Sequence, residues 1–316
     1  MAVTLEQAKL NVQDDLQKAV IDEFQKSNWL WANLQFENVV NPSGGGATLT
    51  YAYLRVKTQP TAAFRAINEE YTAQEATKEK ITADLAIFGG SYKIDRIIAR
   101  MAGDEVAFQA SQKIKAASAL FNETVINGDT ATNTKAFDGL EKALTGSSTE
   151  VKPATAIDLS GSSEMDTNYK SFLDAVDEML GNMDGTPSAL LMGSKMYNKF
   201  RGVIRRATAY QETKDAFGRI IPMYDGIPLV DLGAKSGSND PVVAIDGTAG
   251  TTSIYAVRLG LDGLHAISLA GPSPVSANLP DFTKSGAVKE GDVEMVAAIA
   301  LKATKAAAVL RNIKVK

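Results

Sequence analysis

Few residues in this chain of 316 could do chemistry: it has no cysteine and a single histidine, His265. Without thiols there are no disulfides, thiolate zinc sites, iron–sulfur clusters or cysteine nucleophiles, and one histidine cannot build a His-rich metal site. His265 sits in the strand-like run Leu264-His265-Ala266-Ile267 with no G-x-S-x-G elbow anywhere in the chain, so it reads as a structural or surface residue rather than a triad base. The glycine stretches at Gly44–Gly46 and Gly247–Gly250 lack the Lys-Ser/Thr ending of a phosphate loop and the G-x-G-x-x-G opening of a dinucleotide site, and read as hinges or turns. Asp225, Asp231 and Asp246 fall at predicted strand ends, where enzymes often place carboxylates. Asp225-Gly226 and Asp246-Gly247 also carry the ordinary turn signature, which is the favoured reading; an enzyme would need two of these carboxylates to converge in one pocket.

The charged clusters point to surfaces rather than to catalysis. Glu69 and Glu70 are adjacent in an extended stretch, so their side chains diverge and cannot share an acid–base site; with Arg65 nearby they fit an arm making charged contacts. Arg201 and Arg205 share one helix face beside Arg206, either as a solvated face or as a dock for phosphate or a neighbour's carboxylates. Lys302, Lys305, Arg311, Lys314 and Lys316 make the C-terminus mildly basic without interleaved aromatics. The whole chain balances 33 Lys+Arg against 37 Asp+Glu, a formal charge of −4, which argues against a dedicated nucleic-acid grip. At 45% hydrophobic and 22% charged residues it has an ordinary globular composition. No basic n-region with an apolar follow-on opens the sequence and no apolar run reaches membrane-spanning length, so a soluble, non-exported protein without cofactor is expected.

Around these residues the hydrophobic pattern sets out an order of elements. Leu5, Ala8, Val12, Leu16 and Phe24 repeat at helical spacing after a possible Thr4 cap, followed by a dense patch of Trp29, Leu30, Trp31, Leu34 and Phe36 that must be buried in this chain or against a neighbour. After Ser43-Gly44-Gly45-Gly46, Thr48 to Lys57 alternates with period two, and a matching strand runs through Ile81, Ala83, Leu85 and Ile87; the polar stretch between them has too few apolar residues for a core. The spacing predicts a two-stranded arm whose tip stands away from its own domain and needs a partner surface. A long helix carries Val106, Ala110, Ile114, Ala117, Phe121 and Val125, with Asp104 in its first turn and Asn127-Gly128 as a left-handed stop. Thr145 to Asn168, rich in Ser, Thr, Gly and Asp, reads as a loop or domain boundary. An α/β lobe follows: a short helix at Phe172–Leu180, strand Ala189–Met192, a helix from Ser194 to about Ile204, and strands at Ile227–Leu232, Val242–Ile245 and Ser253–Leu259. Strands at Leu264–Ala270, Val293–Ala303 and Ala306–Val315 close the chain, with a Pro-punctuated loop at Gly271–Pro280.

This order, with several local stretches, resembles the major capsid protein of tailed bacteriophages, the Hong Kong 97 type fold. Thr61 to Tyr71 is similar to the extended loop of such proteins, and Ile81 to Arg96, ending Tyr92-Lys93-Ile94-Asp95-Arg96, to the strand returning toward the spine helix. Phe121 to Asp129 with Phe137-Asp138-Gly139-Leu140 resembles the end of that helix, and Phe217-Gly218-Arg219 with Tyr224 to Val230 an axial-domain segment. The resemblance implies an α+β fold: an N-terminal arm (1–44), an extended β-hairpin loop (45–96), a peripheral domain (97–167 and 264–305) with a long spine helix at about 103–127 and a β-sheet, and an α/β axial domain (168–263 and 306–316). It implies a non-enzymatic structural subunit without cofactor or metal, assembling through pentamers and hexamers into an icosahedral shell around double-stranded DNA bound without sequence specificity. Such a shell is built in the cytoplasm of the bacterial host, with portal, separate scaffolding and decoration proteins as partners and no membrane. Inter-subunit contacts are expected from Trp29, Trp31, Arg65, Glu69, Glu70, Lys78, Lys80, Arg201 and Arg205. Proteolytic removal of a scaffolding segment is not expected, because the arm starts near Met1. Crosslinking through Lys57, Lys78 or Lys80 is not expected either, because polar surroundings keep those amines protonated. The alternative is a related nanocompartment shell of the encapsulin type, enclosing protein cargo.

Overall fold

A computed structural model describes residues 29–40, 49–101, 105–207, 211–214, 220–270 and 274–316. The expected helix between Leu5 and Phe24 with its Thr4 cap, the glycine stretch at 44–46, Asp104 and the segment 217–219 lie outside the described residues.

A short helix, α1 (Trp29–Asn33), leads into strand β1 (Phe36–Val40). The projecting hairpin is β2 (Thr50–Thr58) and β3 (Thr77–Asp84), antiparallel, with Tyr51 opposite Ala83 and Tyr53 opposite Ile81. Leu85 interrupts the return strand for one residue, and β4 (Ala86–Asp95) then joins a different sheet. The single strand expected through Ile81 and Ile87 is thus two strands with different partners; the sequence keeps its period of two, but Leu85 and Ala86 are both buried and Ile87 is exposed, so the phase shifts at the break. After α2 (Arg96–Met101) comes the spine helix α3 (Glu105–Asn127). Its 23 residues run about 34 Å at 1.5 Å per residue. Ala110, Ala117, Phe121 and Val125 are buried as the stripe requires, whereas Ile114 is exposed. Gly128 ends the helix without a left-handed conformation. A Cβ there would lie 2.2 Å from the Phe137 carbonyl oxygen and 2.5 Å from that of Thr124, so the glycine serves close backbone packing and not the expected left-handed stop.

The segment expected to be a loop, Thr145 to Asn168, contains two short strands, β5 (Glu150–Val151) and β6 (Ile157–Asp158), and the start of a 20-residue helix, α5 (Ser162–Gly181). A five-residue helix, α4 (Leu140–Leu144), precedes them. The first turns of α5 escaped notice because Met165 alone is buried there, and the apolar spacing becomes dense only from Phe172. The lobe continues with β7 (Ala189–Met192), α6 (Ser194–Arg206), β8 (Gln211–Lys214), β9 (Ile220–Tyr224), β10 (Ile227–Asp231) and β11 (Thr251–Val257). Val242 and Val243 are buried but form no strand, contrary to expectation: the Val242 carbonyl accepts from Asn127 Nδ2 at 2.7 Å instead of joining a ladder. The closing strands are β12 (Leu264–Leu269), β13 (Val275–Asn278), β14 (Val288–Leu301) and β15 (Ala307–Lys314). The Pro-punctuated segment therefore holds a strand, and β14 starts five residues earlier than Val293.

Two sheets organise these strands. In the first, β14 pairs antiparallel with β4 from Val288 to Ala297 on one edge, and with β13 and then β12 on the other; β1 adds parallel to β12. In the second, the order is β5-β15-β11-β7-β10-β9-β8, with β6 also on β15. This sheet is buried on both faces, which explains its continuous apolar runs. Ala189, Leu191, Tyr255, Val257, Ala307 and Val309 face the core that includes Phe121 and the first sheet. Leu190, Met192, Ile254, Ala256, Ala308 and Leu310 face a second core under α5 and α6.

Phe121 is the centre of the first core. Its ring lies 5.2 Å from Trp31, 5.8 Å from Phe137, and 6.1 Å from both Phe36 and Phe88. Phe121→Ala is expected to cost about 3–5 kcal/mol through the cavity it leaves, and Gly128→Ala about 1–3 kcal/mol through forced backbone movement. Thermal melting of both variants checks these values.

Candidate functional site

The hairpin β2–β3 has no core of its own, and its alternating side chains divide into a face toward the body and a face away from it. Tyr51, Tyr53 and Arg55 on β2, and Glu79, Ile81 and Ala83 on β3, are the half-buried inward set. Leu54 and Val56 are exposed on the outward face, directly opposite Lys80 and Lys78.

The inward set is bound to the first sheet at the arm's root. Tyr51 Oη donates to Glu37 Oε2 at 2.8 Å, Lys302 Nζ reaches the same oxygen at 3.2 Å, and His265 Nε2 lies 3.0 Å from it. Tyr53 Oη donates to the Leu301 carbonyl at 2.8 Å, and Arg55 donates to the carbonyls of Lys302 and Leu301 at 3.0 and 2.8 Å. These carbonyls lie where β14 ends, so the hairpin satisfies backbone acceptors that the ladder has left open. Burial alone would raise the Glu37 carboxyl, but the hydrogen bonds from Tyr51 and Lys302 and the nearby positive charge outweigh it and hold the group below its ordinary value. Burial and then the Lys302 charge lower the His265 imidazole, which keeps it neutral at pH 7. His265 is fully buried and serves this root, in agreement with a structural role.

At its far end the arm organises itself with local bonds. Thr61 gives both its amide and its hydroxyl to Gln74 Oε1 at 2.8 Å. Arg65 Nη1 donates to the carbonyls of Ala66 and Glu69, its guanidinium sits 5.4 Å from the Tyr71 ring centroid, and Glu69 Oε2 accepts from the Ala66 amide. Arg65 and Glu69 thus shape the tip turn, in which Asn68 takes a left-handed φ of 68°. Phe64 at 107% and Ile67 at 89% relative exposure stand out from it, with Glu70 exposed beside them. Two large apolar side chains on one turn are thus left in solvent.

The other expected contact residues lie elsewhere. Trp29 and Trp31 are half-buried against the chain's own first core, Trp31 edge-on to Phe36 at 4.8 Å. Arg201 and Arg205 lie on α6, whose apolar face packs on the second core. Sequence reasoning missed Glu37, Lys302, Tyr53 and Arg55 as a unit; the signal available was an acid and a base placed among strand residues, with no clue that their strands meet.

The three aspartates at the strand ends do not converge on one pocket. Asp225, at φ 49°, and Gly226, at φ 75°, form the tight turn between β9 and β10. Asp231 Oδ1 accepts from the Gly233 amide, and Asp246 Oδ1 from those of Thr248 and Ala249. A cavity of about 500 Å³ opens at the start of α6, and of these three carboxylates only Asp246 lines it. Among the described residues there is no cluster of His, Cys, Asp and Glu suited to a metal, and no helix is long and apolar enough to cross a membrane.

No family model matches the chain, and no curated protein matches it in sequence. Solved structures do match, over nearly its whole length. The holo-SrpI encapsulin complex from Synechococcus elongatus is similar at 16% identity and a TM-score of 0.66, over 99% of this chain and 97% of that one. The capsid of a native GTA particle matches at 15% identity and a TM-score of 0.61, over 99% of both chains. The capsid of the Myoviridae phage XM1 matches at 13% identity and a TM-score of 0.59, over 96% of this chain and 98% of that one. The chain has the α+β fold that these shells share, the Hong Kong 97 type.

Because Glu37 is held below its unfolded value, its contribution to stability is present above the unfolded carboxylate range and is lost as pH falls through the folded value. Glu37→Gln is expected to cost about 1–2 kcal/mol at pH 7 and to flatten the loss of thermal stability between about pH 5 and pH 3. Melting temperature against pH for both proteins checks the sign.

Proposed function

We propose that this chain is the major capsid protein of a tailed bacteriophage: a structural, non-catalytic subunit that assembles through pentamers and hexamers into an icosahedral shell around double-stranded DNA. The observation that carries the reading is the arm, a hairpin anchored at its root, apolar at its tip and unable to bury itself, in a chain whose whole length matches shell-forming proteins. The arm's outward face and tip, with Phe64, Ile67, Glu70, Lys78 and Lys80, would lie across an adjacent subunit, and Trp29, Trp31, Arg65 and Glu69 would border or brace such contacts. In this reading residues 1–44 form an arm, 45–96 the extended loop, 97–167 and 264–305 the peripheral domain, and 168–263 with 306–316 the axial domain. The formal charge of −4 suits a container: a strongly basic lining would bind packaged DNA in a salt-dependent way and hinder its release. Portal, scaffolding and decoration proteins would be its further partners, the virion its place, and the host cytoplasm the site of assembly.

A second reading, a nanocompartment shell enclosing protein cargo, is favoured by the encapsulin likeness and its TM-score of 0.66. The contents of native particles separate the two: nucleic acid supports the capsid reading and protein cargo without nucleic acid the other. Purified protein is expected to sediment as capsomers or shells visible by negative stain, and a stable monomer at high concentration overturns both. A Phe64→Ser/Ile67→Ser variant is expected to keep the subunit's melting temperature and to assemble poorly, since it removes about 3–5 kcal/mol of apolar burial per contact. Sedimentation velocity checks this.

A further inference from the structure

Helices α5 and α6 both cover the second core on one face of the second sheet and touch each other, and their outer flanks carry opposite charge. The flank of α6 toward α5 is fixed by contacts: Arg206 pairs with Asp166 and donates to Ser162 Oγ at 2.9 Å, and Lys199 reaches the Ser160 carbonyl. At 100° per residue, Tyr197 and Arg201 then fall on the flank facing away from α5, and Arg205 points outward. The flank of α5 toward α6 and β9 is fixed in the same way, by Asp166 and by Asp177, whose Oδ1 accepts from Tyr224 Oη at 2.6 Å. Asp174 and Glu178, both exposed, fall on its outward side and far flank.

Arg201 is poised to receive an acceptor. Its guanidinium lies 5.7 Å from the Tyr197 ring centroid, and its Nε is buried with no hydrogen-bond partner. A planar guanidinium held beside a ring is already oriented for a carboxylate at its outer edge.

We infer that Arg201 and Arg205 form a socket for Asp174 and Glu178 of a second copy of this chain. The two patches lie on opposite flanks of one lobe, so a two-fold pair cannot bring them together; a repeated head-to-tail rotation can, and it forms a ring where the rotation closes. The choice of a second copy as occupant rests on the shell reading, whereas the arrangement of charge does not.

The absence of cysteine makes the contact directly testable. R205C/E178C carries only two thiols, which a short bismaleimide joins where α6 of one copy meets α5 of the next. The expected result is a denaturing-gel ladder from dimer upward for R205C/E178C, with R205C and E178C alone remaining monomeric. No ladder from the double variant, or an equally strong dimer from a single one, overturns the inference. Charge reversal in R201E/R205E is expected to raise the concentration needed for assembly about a hundredfold without moving the subunit's melting temperature, and adding D174K/E178K is expected to restore it. Assembly of R201E/R205E at wild-type concentrations, or no recovery in the fourfold variant, overturns the socket and leaves the shell reading standing. A wild-type chain that stays monomeric overturns the shell reading and this occupant together.

Discussion

A two-stranded hairpin without a core is marginal in water, and this structure depends on how that constraint is met. Glu37 gathers Tyr51, Lys302 and His265 on one carboxylate, while Tyr53 and Arg55 take the carbonyls at the end of β14. Six side chains, three from β2 of the arm and three from strands or strand ends of the body, thus meet at one place. Desolvating a carboxylate is costly, and the convergence of donors on it makes the partly buried charge a net tie instead of a liability.

A comparable knot joins the spine-helix region to the second sheet. Arg311 on β15 pairs with Glu141 of α4, places Nε 2.5 Å from Glu150, and donates to Thr145 Oγ1 at 3.0 Å; Tyr255 gives its hydroxyl to the same Glu141. Nearby, Lys314 and the hydroxyl and amide of Ser160 hold the Asp158 carboxyl down to about 2. In a chain without disulfides or a metal cluster among its described residues, such multi-donor carboxylates are the cross-links between elements, and around them lies ordinary apolar packing.

The elements legible in the sequence were those with one dominant period. α3 showed its stripe, the hairpin its alternation, and β7 and the first half of β15 (Ala307–Leu310) their apolar runs from burial on both faces. Where two signals competed, reading failed. The N-terminal turns of α5 are polar because their outer side is solvated, and only Met165 betrays the inner one. Val242 and Val243 have strand-like side chains, yet the backbone is spent on Asn127 and on Gly233. Gly128 looked like a turn residue and is a packing residue. The root was invisible because Glu37, Tyr51, His265 and Lys302 are spread over 265 positions; local patterns carry no information about which distant strands become neighbours. The expected α/β lobe is present, with more antiparallel pairing than an alternating pattern suggested.

The single-residue break at Leu85 makes the arm a lever with its fulcrum at the body. Nine residues of strand extend about 30 Å, so a turn of about a tenth of a radian at the root would carry the end of β2 about 3 Å, the width of a hydrogen bond. Angular play that would pass unnoticed inside a core becomes misregistration at the tip. The ring of donors around Glu37 therefore acts as a bearing: its stiffness sets the positional tolerance with which Phe64 and Ile67 are presented.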